Sequence, residues 1–476
     1  MKKPFLIAGI LCFMNTVFAQ QAVDALSFSQ AYYHLTARSA AMGGASGALK
    51  SDFGAIAVNP AAIATYKTSE LTFTPEFYSV LSKTNYEGQV NSKYRNDVSV
   101  NQVGIVYSFQ TRKSPTRYNI GFSYNKLNAF NTNELIQNVA VPINDSYWGQ
   151  IANQENLRDI KFVDEMRRHS PTDQKYLFEE NGSLPGGLLG TNVDQRALYS
   201  TAGFLGEYAL SFGVNLSEKV YIGASAVVRD VAKSSVYELF EESLTDADYR
   251  YSYARKYETL GLGFGGKLGV FILPVPEFSI GISVQSPIFY SITQRTEGTI
   301  KIPPGAASEL QDGAKGIPYQ SELPETKYSL ITPLQATISF SYAIQNIALL
   351  TLDYEMTPYA MAQYSNTEGD AAILDASNAL LKESNFGSSV RLGSEFYVWK
   401  GLVARLGGGY HTAPSSDIKS TFNVGVGAGY NFGDVVIDLA YVYRTQKQHY
   451  PLYTNSSPVE ATYTKNFITL SLAYRF

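Results

Sequence analysis

The sequence predicts an all-β protein, a transmembrane antiparallel β-barrel of about 14 strands with an N-terminal hatch inside the lumen. Three observations support this prediction. Apolar residues alternate with small or polar residues in many segments, which is the two-residue period of a strand. The apolar face often begins or ends in Tyr or Phe, and the 476 residues include 35 Tyr and 38 Gly, as suits a barrel with aromatic girdles. Short and long connections also alternate along the chain.

The last strand shows the alternation most clearly. In the closing stretch NFITLSLAYRF, one parity consists of Ile468, Leu470, Leu472, Tyr474 and Phe476. The other parity, here and in similar segments upstream, is rich in Gly, Ser, Asn and occasional charge, as a lumen requires. The alternative is a secreted protein with several β-sandwich domains. Such a protein would have Lys, Glu and Thr on its outer face, and it explains neither the second face nor the loop lengths.

Fourteen alternating segments are predicted as barrel strands. They lie near residues 68–81, 97–109, 117–130, 201–215, 219–240, 247–273, 277–297, 325–344, 347–364, 385–398, 402–412, 420–431, 434–446 and 462–476. An even number is typical of a single-chain bacterial barrel, with short turns on the periplasmic side and long loops outside. The barrel is therefore assigned to residues 68–476, and the longest extracellular loop to residues 131–200.

The first 19 residues are predicted to be a secretory signal peptide. Lys2 and Lys3 precede an apolar run, and Ala19 stands at the expected cleavage site. The only cysteine, Cys12, lies in this segment, so neither a disulfide nor a lipid anchor is expected. No later segment has the roughly 18 uninterrupted apolar residues of a membrane-spanning helix. An exported chain of this kind is soluble or crosses a membrane as a closed barrel.

Residues 20–67 do not alternate and are predicted to fill the barrel. The segment is rich in small residues and glycine, and it has too many apolar residues and too few charges for a disordered tail. A barrel of about 14 strands is too wide for its own side chains to fill. Inward glycines such as Gly425, Gly427 and Gly429 leave room for another segment to approach the wall closely.

One stretch before the first strand resembles a known family. It reads ARSAAMGGASGALKSDFGAIAVNPAAIATYKTSELTFTP and has small residues, then Asp52, then Asn59, Pro60 and Ala61. This pattern is similar to the hatch and first strand of the FadL/TodX outer-membrane channels, although Ala62 stands where the family commonly has Gly. The resemblance implies an outer-membrane channel for passive uptake of long-chain fatty acids or other hydrophobic small molecules, with lateral release through the barrel wall.

The same resemblance leaves a second function open. FadL-like barrels also serve as non-transporting subunits or shuttles of outer-membrane secretion or assembly machines, in which case another outer-membrane protein is the expected partner. The terminal Phe476 resembles the signal read by the outer-membrane assembly machinery, and outer-membrane lipid is expected to surround the barrel. A net charge of −4 and the lack of a basic cluster predict no nucleic-acid partner.

Proline marks candidate sites for a gap in the wall. Pro287, Pro333 and Pro358 fall within three successive predicted strands, and proline removes a hydrogen bond from the sheet. These three residues are the wall-gap candidates, although the family that the sequence resembles places its kink nearer strand three. The alternative interpretation is a set of bulges near the extracellular rim.

Inward parity places Arg391 and Arg405 in the lumen, where arginine is able to hold a carboxylate ligand through two charge-assisted hydrogen bonds. The alternative is that such residues pair with each other and with groups of the N-terminal segment.

The long loop supplies the other predicted ligand-binding residues, namely Trp148, Leu184, Leu188 and Leu189. They predict an apolar capture site at the outer mouth. The alternatives are packing within the loop and a docking surface for a partner protein.

The sequence gives little support for an enzymatic function. The four histidines are scattered without metal-ligand spacing, and no Gly-x-Ser-x-Gly motif occurs. The glycine-rich GLGFGG at residues 261–266 lies within a predicted strand and opens no helix, so it is not a nucleotide-binding loop. No catalytic residue, metal or cofactor is predicted.

Overall fold

One antiparallel sheet closes on itself to form the barrel. The computed structural model describes residues 22–110, 116–147, 191–244, 250–301, 319–365, 371–453 and 456–476. Within these residues the sheet contains 18 hydrogen-bonded segments. The first, Glu70–Tyr86, pairs with both Gln89–Gln110 and the last, Pro458–Arg475, which closes the ring. Four strands are each interrupted once, so the 18 segments make 14 barrel strands, as predicted.

The strands differ widely in length because many continue beyond the part of the barrel that faces lipid. In chain order they are β1 (Glu70–Tyr86), β2 (Gln89–Gln110), β3 (Arg117–Ala129 and Thr132–Pro142), β4 (Asn192–Asn215), β5 (Val220–Ser243), β6 (Arg250–Val275), β7 (Phe278–Gln285 and Phe289–Lys301), β8 (Tyr319–Ile331 and Gln335–Ile344), β9 (Ala348–Pro358 and Gln363–Ser365), β10 (Phe386–Trp399), β11 (Leu402–His411), β12 (Thr421–Asn431), β13 (Val435–Pro451) and β14 (Pro458–Arg475).

The helices are short. Residues 22–29 are helical, and the named helices are α1 (Ala37–Ala41), α2 (Phe53–Val58), α3 (Ala371–Lys382) and the 3-10 turns Pro60–Thr65, Ile143–Asp145 and Tyr359–Met361. A search of the described residues finds no helix with the length and apolar character needed to cross a membrane.

The predicted loop at residues 131–200 is shorter than expected. Strand residues Thr132–Pro142 and Asn192–Asn215 occupy both of its ends, and residues 148–190 lie outside the described part. Likewise β1 and β2 meet in a two-residue turn, Glu87 and Gly88. These strand ends escaped prediction because they extend past the lipid-facing zone, so their outer face is polar and loses the apolar alternation.

The outer face of the barrel is apolar, whereas much of the inner face is small or polar. On β13, Leu439 is 53% exposed, whereas its neighbour Ala440 is 2% exposed. The exposed large apolar residues of β12 are Phe422, Val426 and Tyr430. The outward apolar belt confirms the predicted fold class and is the surface that an outer-membrane protein presents to lipid.

The barrel encloses residues 22–66, here called the N-terminal segment. Nearly all of its side chains are buried. Its helix α1 begins after Thr36, whose hydroxyl accepts from Ser39 N, and ends at Met42. Several inward glycines lie directly against the segment, and a Cβ on Gly425 would overlap the carbonyl of Ala40. The absence of a side chain on the wall therefore determines how closely the segment packs.

Candidate functional site

Wall side chains hold the N-terminal segment from almost every side. Polar inward residues hydrogen-bond its backbone, which otherwise has few partners because the segment contains little regular structure. These residues and their backbone partners are Asn101 (Leu35 O, 3.0 Å), Asn119 (Ile63 O, 2.6 Å), Lys267 (Ala57 O, 2.8 Å), Ser283 (Val58 O, 2.8 Å), Ser341 (Ala48 O, 3.1 Å), Thr351 (Ala45 O, 3.0 Å) and Ser471 (Ala37 N, 2.7 Å). The segment is therefore anchored to strands distributed around the whole barrel.

Asp52 organises the middle of the N-terminal segment. Its carboxylate caps α2 by accepting from Ala55 N at 3.2 Å, and both of its oxygens accept from the Thr36 hydroxyl at 3.1 Å. Burial raises the pKa of Asp52, while nearby Arg38 and the Thr36 hydrogen bond partly offset this effect. The residue thus joins the start of α1 to the start of α2.

The Asn-Pro-Ala motif ties the segment to the wall. Asn59 Oδ1 accepts from Ala61 N at 3.1 Å and so caps the following 3-10 turn, in which Pro60 takes a first-turn position. Asn59 Nδ2 donates to Gly47 O and to Val270 O on β6, both at 3.2 Å. The motif residues are buried and lie together, and their role in a moving hatch stays a prediction.

Arg405 takes part in an ion-pair network that reaches the N-terminal segment. Its guanidinium lies 2.7 Å from Glu395 and 2.6 Å from Asp438. Glu395 also binds Arg38 of the segment at 3.0 Å. This pairing is the alternative that the sequence left open, and a ligand-binding role for Arg405 stays a prediction.

Arg391 is paired in a similar way. Its Nη1 lies 3.0 Å from Glu355, and its Nη2 lies 3.7 Å from Asp353. Asp353 in turn accepts from the backbone N–H groups of Ser46 and Gly47, at 2.9 and 3.0 Å. Arg391 is 1% exposed, and its Nε and Nη2 have no hydrogen-bond partner among the described residues. Its ligand-binding role likewise stays a prediction.

Another part of the lumen is apolar. Here the first part of the N-terminal segment, residues 22–35, packs against inward-facing side chains of β4 to β8. We call this region the apolar chamber, and its wall residues are Leu205, Val227, Val231, Ile288, Tyr290, Ile292, Tyr328 and Leu330. Leu374 and Leu381 of α3 belong to the same cluster. The lumen therefore contains both buried ion pairs, including those of Glu207 with Arg229 and Lys267, and this apolar region.

The three predicted wall-gap prolines lie at interruptions of successive strands. Pro287 lies between the two segments of β7, Pro333 lies between those of β8, and Pro358 ends the first segment of β9. The neighbouring backbones remain in contact, since Thr332 N donates to Ile288 O at 3.1 Å. These interruptions lie well below the strand ends, because the second segment of β7 extends to Lys301. A gap at the prolines stays a prediction.

A further discontinuity lies in β3 between Ala129 and Thr132, where no proline occurs. The β2–β3 pairs end at Gln102 opposite Asn125. Beyond this point, within the described part of the chain, β2 pairs only with β1, and Thr132–Pro142 of β3 pairs only with β4. The two segments of β3 are separated at Phe130 and Asn131. We call this place the strand-three break. The positions of the prolines did not predict it, because it follows a register shift between Lys126 and Asn128 in the pairing of β3 with β4.

Polar contacts bridge the strand-three break. Lys126 Nζ lies 2.7 Å from Glu76 of β1 and also donates to Ser99 of β2. Asn131 donates to Tyr78 and Asp97. Side chains rather than a backbone ladder therefore join the wall at this position, so its closure depends on a few replaceable contacts.

The predicted loop residues Trp148, Leu184, Leu188 and Leu189 lie outside the described residues. Tyr147 is the described residue that precedes Trp148. Its ring stacks on the ring of Tyr253, and the two ring centroids are 5.6 Å apart.

The fold is similar to those of solved channels at low sequence identity. A Pseudomonas aeruginosa FadL homologue matches with a TM-score of 0.59 and 12% identity, over 93% of this chain and 98% of that one. The P. putida toluene transporter TodX matches with a TM-score of 0.55 and 11% identity, over 93% and 98%. CymD, a monoaromatic hydrocarbon channel, matches with a TM-score of 0.52 and 12% identity, over 93% and 97%. No protein-family model and no curated protein matches the sequence.

The fold and the lumen together define an outer-membrane β-barrel that encloses its own N-terminal segment. Within that class the chain has the fold of the FadL and TodX channels. The resemblance seen in the sequence is confirmed at the level of the fold.

Proposed function

We propose that this protein is a non-enzymatic outer-membrane channel for passive uptake of hydrophobic small molecules. The observation that supports the proposal most strongly is the apolar chamber, which leads to a discontinuity in the wall of a channel-like fold. Solved structures of similar fold are named as a toluene transporter and a monoaromatic hydrocarbon channel. The free energy of an apolar molecule falls when it leaves water for such a chamber.

The chamber reaches the strand-three break through aromatic contacts. Phe28 of the N-terminal segment lies between Tyr290 of β7 and Phe130 in the break, with ring centroid distances of 6.5 and 5.8 Å. Leu127, just before the break, also belongs to the chamber cluster. A hydrophobic ligand that enters the chamber therefore meets apolar surface up to the wall.

We further propose lateral release at the strand-three break, with the N-terminal segment acting as a hatch. Below the chamber, buried residues of the segment fill the lumen, including Met42, Phe53, Ile56 and Ile63. Sideways exit into lipid spares an apolar ligand the aqueous periplasm. Opening requires the contacts of Lys126 and Asn131 to separate, whereas a direct path requires displacement of many anchoring hydrogen bonds.

The proposed ligand class is supported by the apolar residues that line the chamber. The proposed ligands are long-chain fatty acids or other hydrophobic small molecules, with Arg391, Arg405 and the loop residues around Trp148 as candidate contacts. The strand-three break is the proposed exit, and the prolines at positions 287, 333 and 358 mark an alternative exit.

A disulfide across the break tests this function. Asp97 and Asn131 are in side-chain contact, so Asp97→Cys with Asn131→Cys is expected to lock the wall. The assay is toluene uptake into lipid vesicles that contain the purified full-length barrel. We expect oxidation to reduce uptake at least tenfold and a reductant to restore it. The matched control is Ser211→Cys with Ser225→Cys, a directly opposed pair on the sealed β4–β5 seam.

Uptake that is unchanged by the lock would refute release at the break. If neither the wild type nor the reduced variant takes up toluene or fatty acid, and a partner chain co-purifies instead, the protein is a non-transporting subunit.

A further inference from the structure

A short helix lies over the apolar chamber. Helix α3 (Ala371–Lys382) belongs to the connection between β9 and β10, which lies at the same end of the barrel as the long β3–β4 connection, the extracellular end. Leu374 and Leu381 are buried and pack into the chamber cluster. They are seven residues apart, so they lie on one face of the helix. Leu380 lies on another face and is 43% exposed. The helix therefore covers the chamber with its apolar side.

A polar clasp ties α3 to the wall. Asn378 Nδ2 donates to Tyr364 O at 3.0 Å, and Tyr364 N donates to Asn378 Oδ1 at 2.8 Å. The amide thereby takes the place of a neighbouring strand beside Gln363–Ser365 of β9. Just after the helix, Asn385 Nδ2 donates to Ala413 O at 3.0 Å. Among the described residues α3 takes part in no ion pair, so its position depends on hydrogen bonds and on the two buried leucines.

Another part of the extracellular mouth is closed by a cluster that we call the tyrosine seal. Its residues are Tyr86, Ile136, Ala197, Leu239, Leu452, Tyr453 and Val459, with Tyr147, Tyr237 and Tyr450 packed against them. Tyr463 donates to Glu134 at 2.9 Å, and Tyr450 donates to the same carboxylate. Tyr453 donates to Asp145 O at 3.0 Å. These bonds join β3 and the turn after it to the outer ends of β13 and β14, so opening the seal would separate two parts of the wall.

We propose that α3 is the lid of the apolar chamber and that hydrophobic ligands enter from outside beneath it. Under the helix, the rings of Tyr328 and Tyr364 meet edge to face with centroids 5.3 Å apart. Both residues belong to the chamber cluster, and so does buried Ile418 of the β11–β12 connection. A ligand that displaces α3 therefore meets apolar surface that continues into the chamber. The inference rests on the proposed function, because it assigns the entrance of the proposed channel.

The lid selects apolar ligands through the surface that it covers. Lifting α3 exposes Leu374, Leu381 and the chamber wall to water, which is unfavourable. An apolar ligand that occupies the place of the leucines buries this surface again, whereas a hydrophilic solute does not. An apolar ligand therefore stabilises the open state relative to the closed one, and a hydrophilic solute leaves the lid closed.

A cross-link across the clasp tests entry beneath α3. Gln363→Cys with Asn378→Cys places thiols on both sides of the clasp, because Gln363 adjoins Tyr364. A short bismaleimide then joins α3 to β9 in the purified full-length barrel. We expect toluene uptake into lipid vesicles to fall at least tenfold after cross-linking, and to be at least as fast as in the wild type before it. The matched control is Asn85→Cys with Glu460→Cys, an opposed pair at the outer end of the β1–β14 seam, whose cross-link should leave uptake unchanged.

Thiol labelling measures opening of the lid independently of transport. Leu330→Cys places a thiol on the chamber wall, and Leu239→Cys places one in the tyrosine seal; both leucines are fully buried. The apolar reagent N-phenylmaleimide is added to the purified full-length barrel. We expect Asn378→Ala to speed labelling of position 330 at least tenfold and to leave labelling of position 239 unchanged. Leu380→Ala is the matched control within α3, because Leu380 is exposed, and it should change neither rate.

The lid and the proposed function fail in different ways. If the wild type takes up toluene and the cross-link does not slow it, entry beneath α3 is refuted and the channel remains. Labelling of position 330 that Asn378→Ala does not speed, or that it speeds no more than labelling of position 239, would also overturn the lid. If Asn378→Ala speeds labelling of position 330 alone but the wild type takes up no toluene, the lid stands and transport is refuted.

Discussion

Replacing Asn59 with alanine is expected to loosen the N-terminal segment without unfolding the barrel. The side chain makes three hydrogen bonds: to Ala61 N at 3.1 Å, and to Gly47 O and Val270 O at 3.2 Å. Loss of a helix cap costs about 0.5–2 kcal/mol, and each of the other two bonds contributes about 0.5–1.5 kcal/mol. The expected cost is therefore about 1.5–5 kcal/mol, confined to local opening of the segment.

Hydrogen exchange detected by mass spectrometry measures this opening. A cost near the middle of the range, about 3 kcal/mol, corresponds to roughly a hundredfold faster exchange. We expect this acceleration for amides in α2 and the following 3-10 turn, with little change in β12 to β14. Asn385→Ala is the control, because Asn385 bonds the exposed Ala413 O at 3.0 Å. Unchanged exchange in the segment would refute the anchoring role, and equal acceleration throughout the barrel would refute its local character.

Three further predictions follow from the packing of the lumen. Glu207→Gln leaves buried Arg229 and Lys267 without their shared carboxylate, now at 2.8 and 2.6 Å, so we expect a loss of about 3–5 kcal/mol by thermal melting. Glu258→Gln breaks an exposed pair with Lys256 and should leave the melting temperature nearly unchanged. Gly425→Leu should displace α1 and increase protease cleavage of the segment, whereas Gly266→Ala should not, because its Cβ would meet only Ser225 O at 3.5 Å. Burial lowers the pKa of His34 from its usual 6.5 to about 3. The stability that depends on neutral His34 is therefore fully present above about pH 6.5 and decreases as the pH falls towards 3. The protection of amides near His34 against hydrogen exchange, relative to their intrinsic exchange rates, should fall as the pH is lowered from about 7 to about 5. His34→Gln should remove this pH dependence.

The lipid-facing part of the barrel was predictable because lipid imposes a strict rule. Residues such as Leu439 and Phe422 contact hydrocarbon on one face only, so their alternation marks the strands directly. Above the lipid zone the outer face is polar, so the apolar alternation is lost. The strand residues Thr132–Pro142 were consequently assigned to a loop. Secondary structure in that zone depends on pairing with β4, which composition does not reveal.

The candidate site was only partly predictable. The motif residues Asp52 and Asn59 are caps, and caps have a recognisable local sequence. The partners of Arg405 come from β10 and β13, so inward parity placed the residue in the lumen without identifying Glu395 or Asp438. The strand-three break arises from a register shift rather than from proline, and a register shift leaves little trace in a single sequence.

Photo-crosslinking with a hydrophobic diazirine ligand tests the proposed route most directly. After irradiation in lipid vesicles, mass spectrometry locates the labelled residues along the full-length barrel. The route through the chamber and the break predicts labels on Phe28, Leu127 and Phe130. Labels on Met42, Phe53 and Ile63, in the part of the segment below the chamber, would show a direct path to the periplasm and would contradict lateral release.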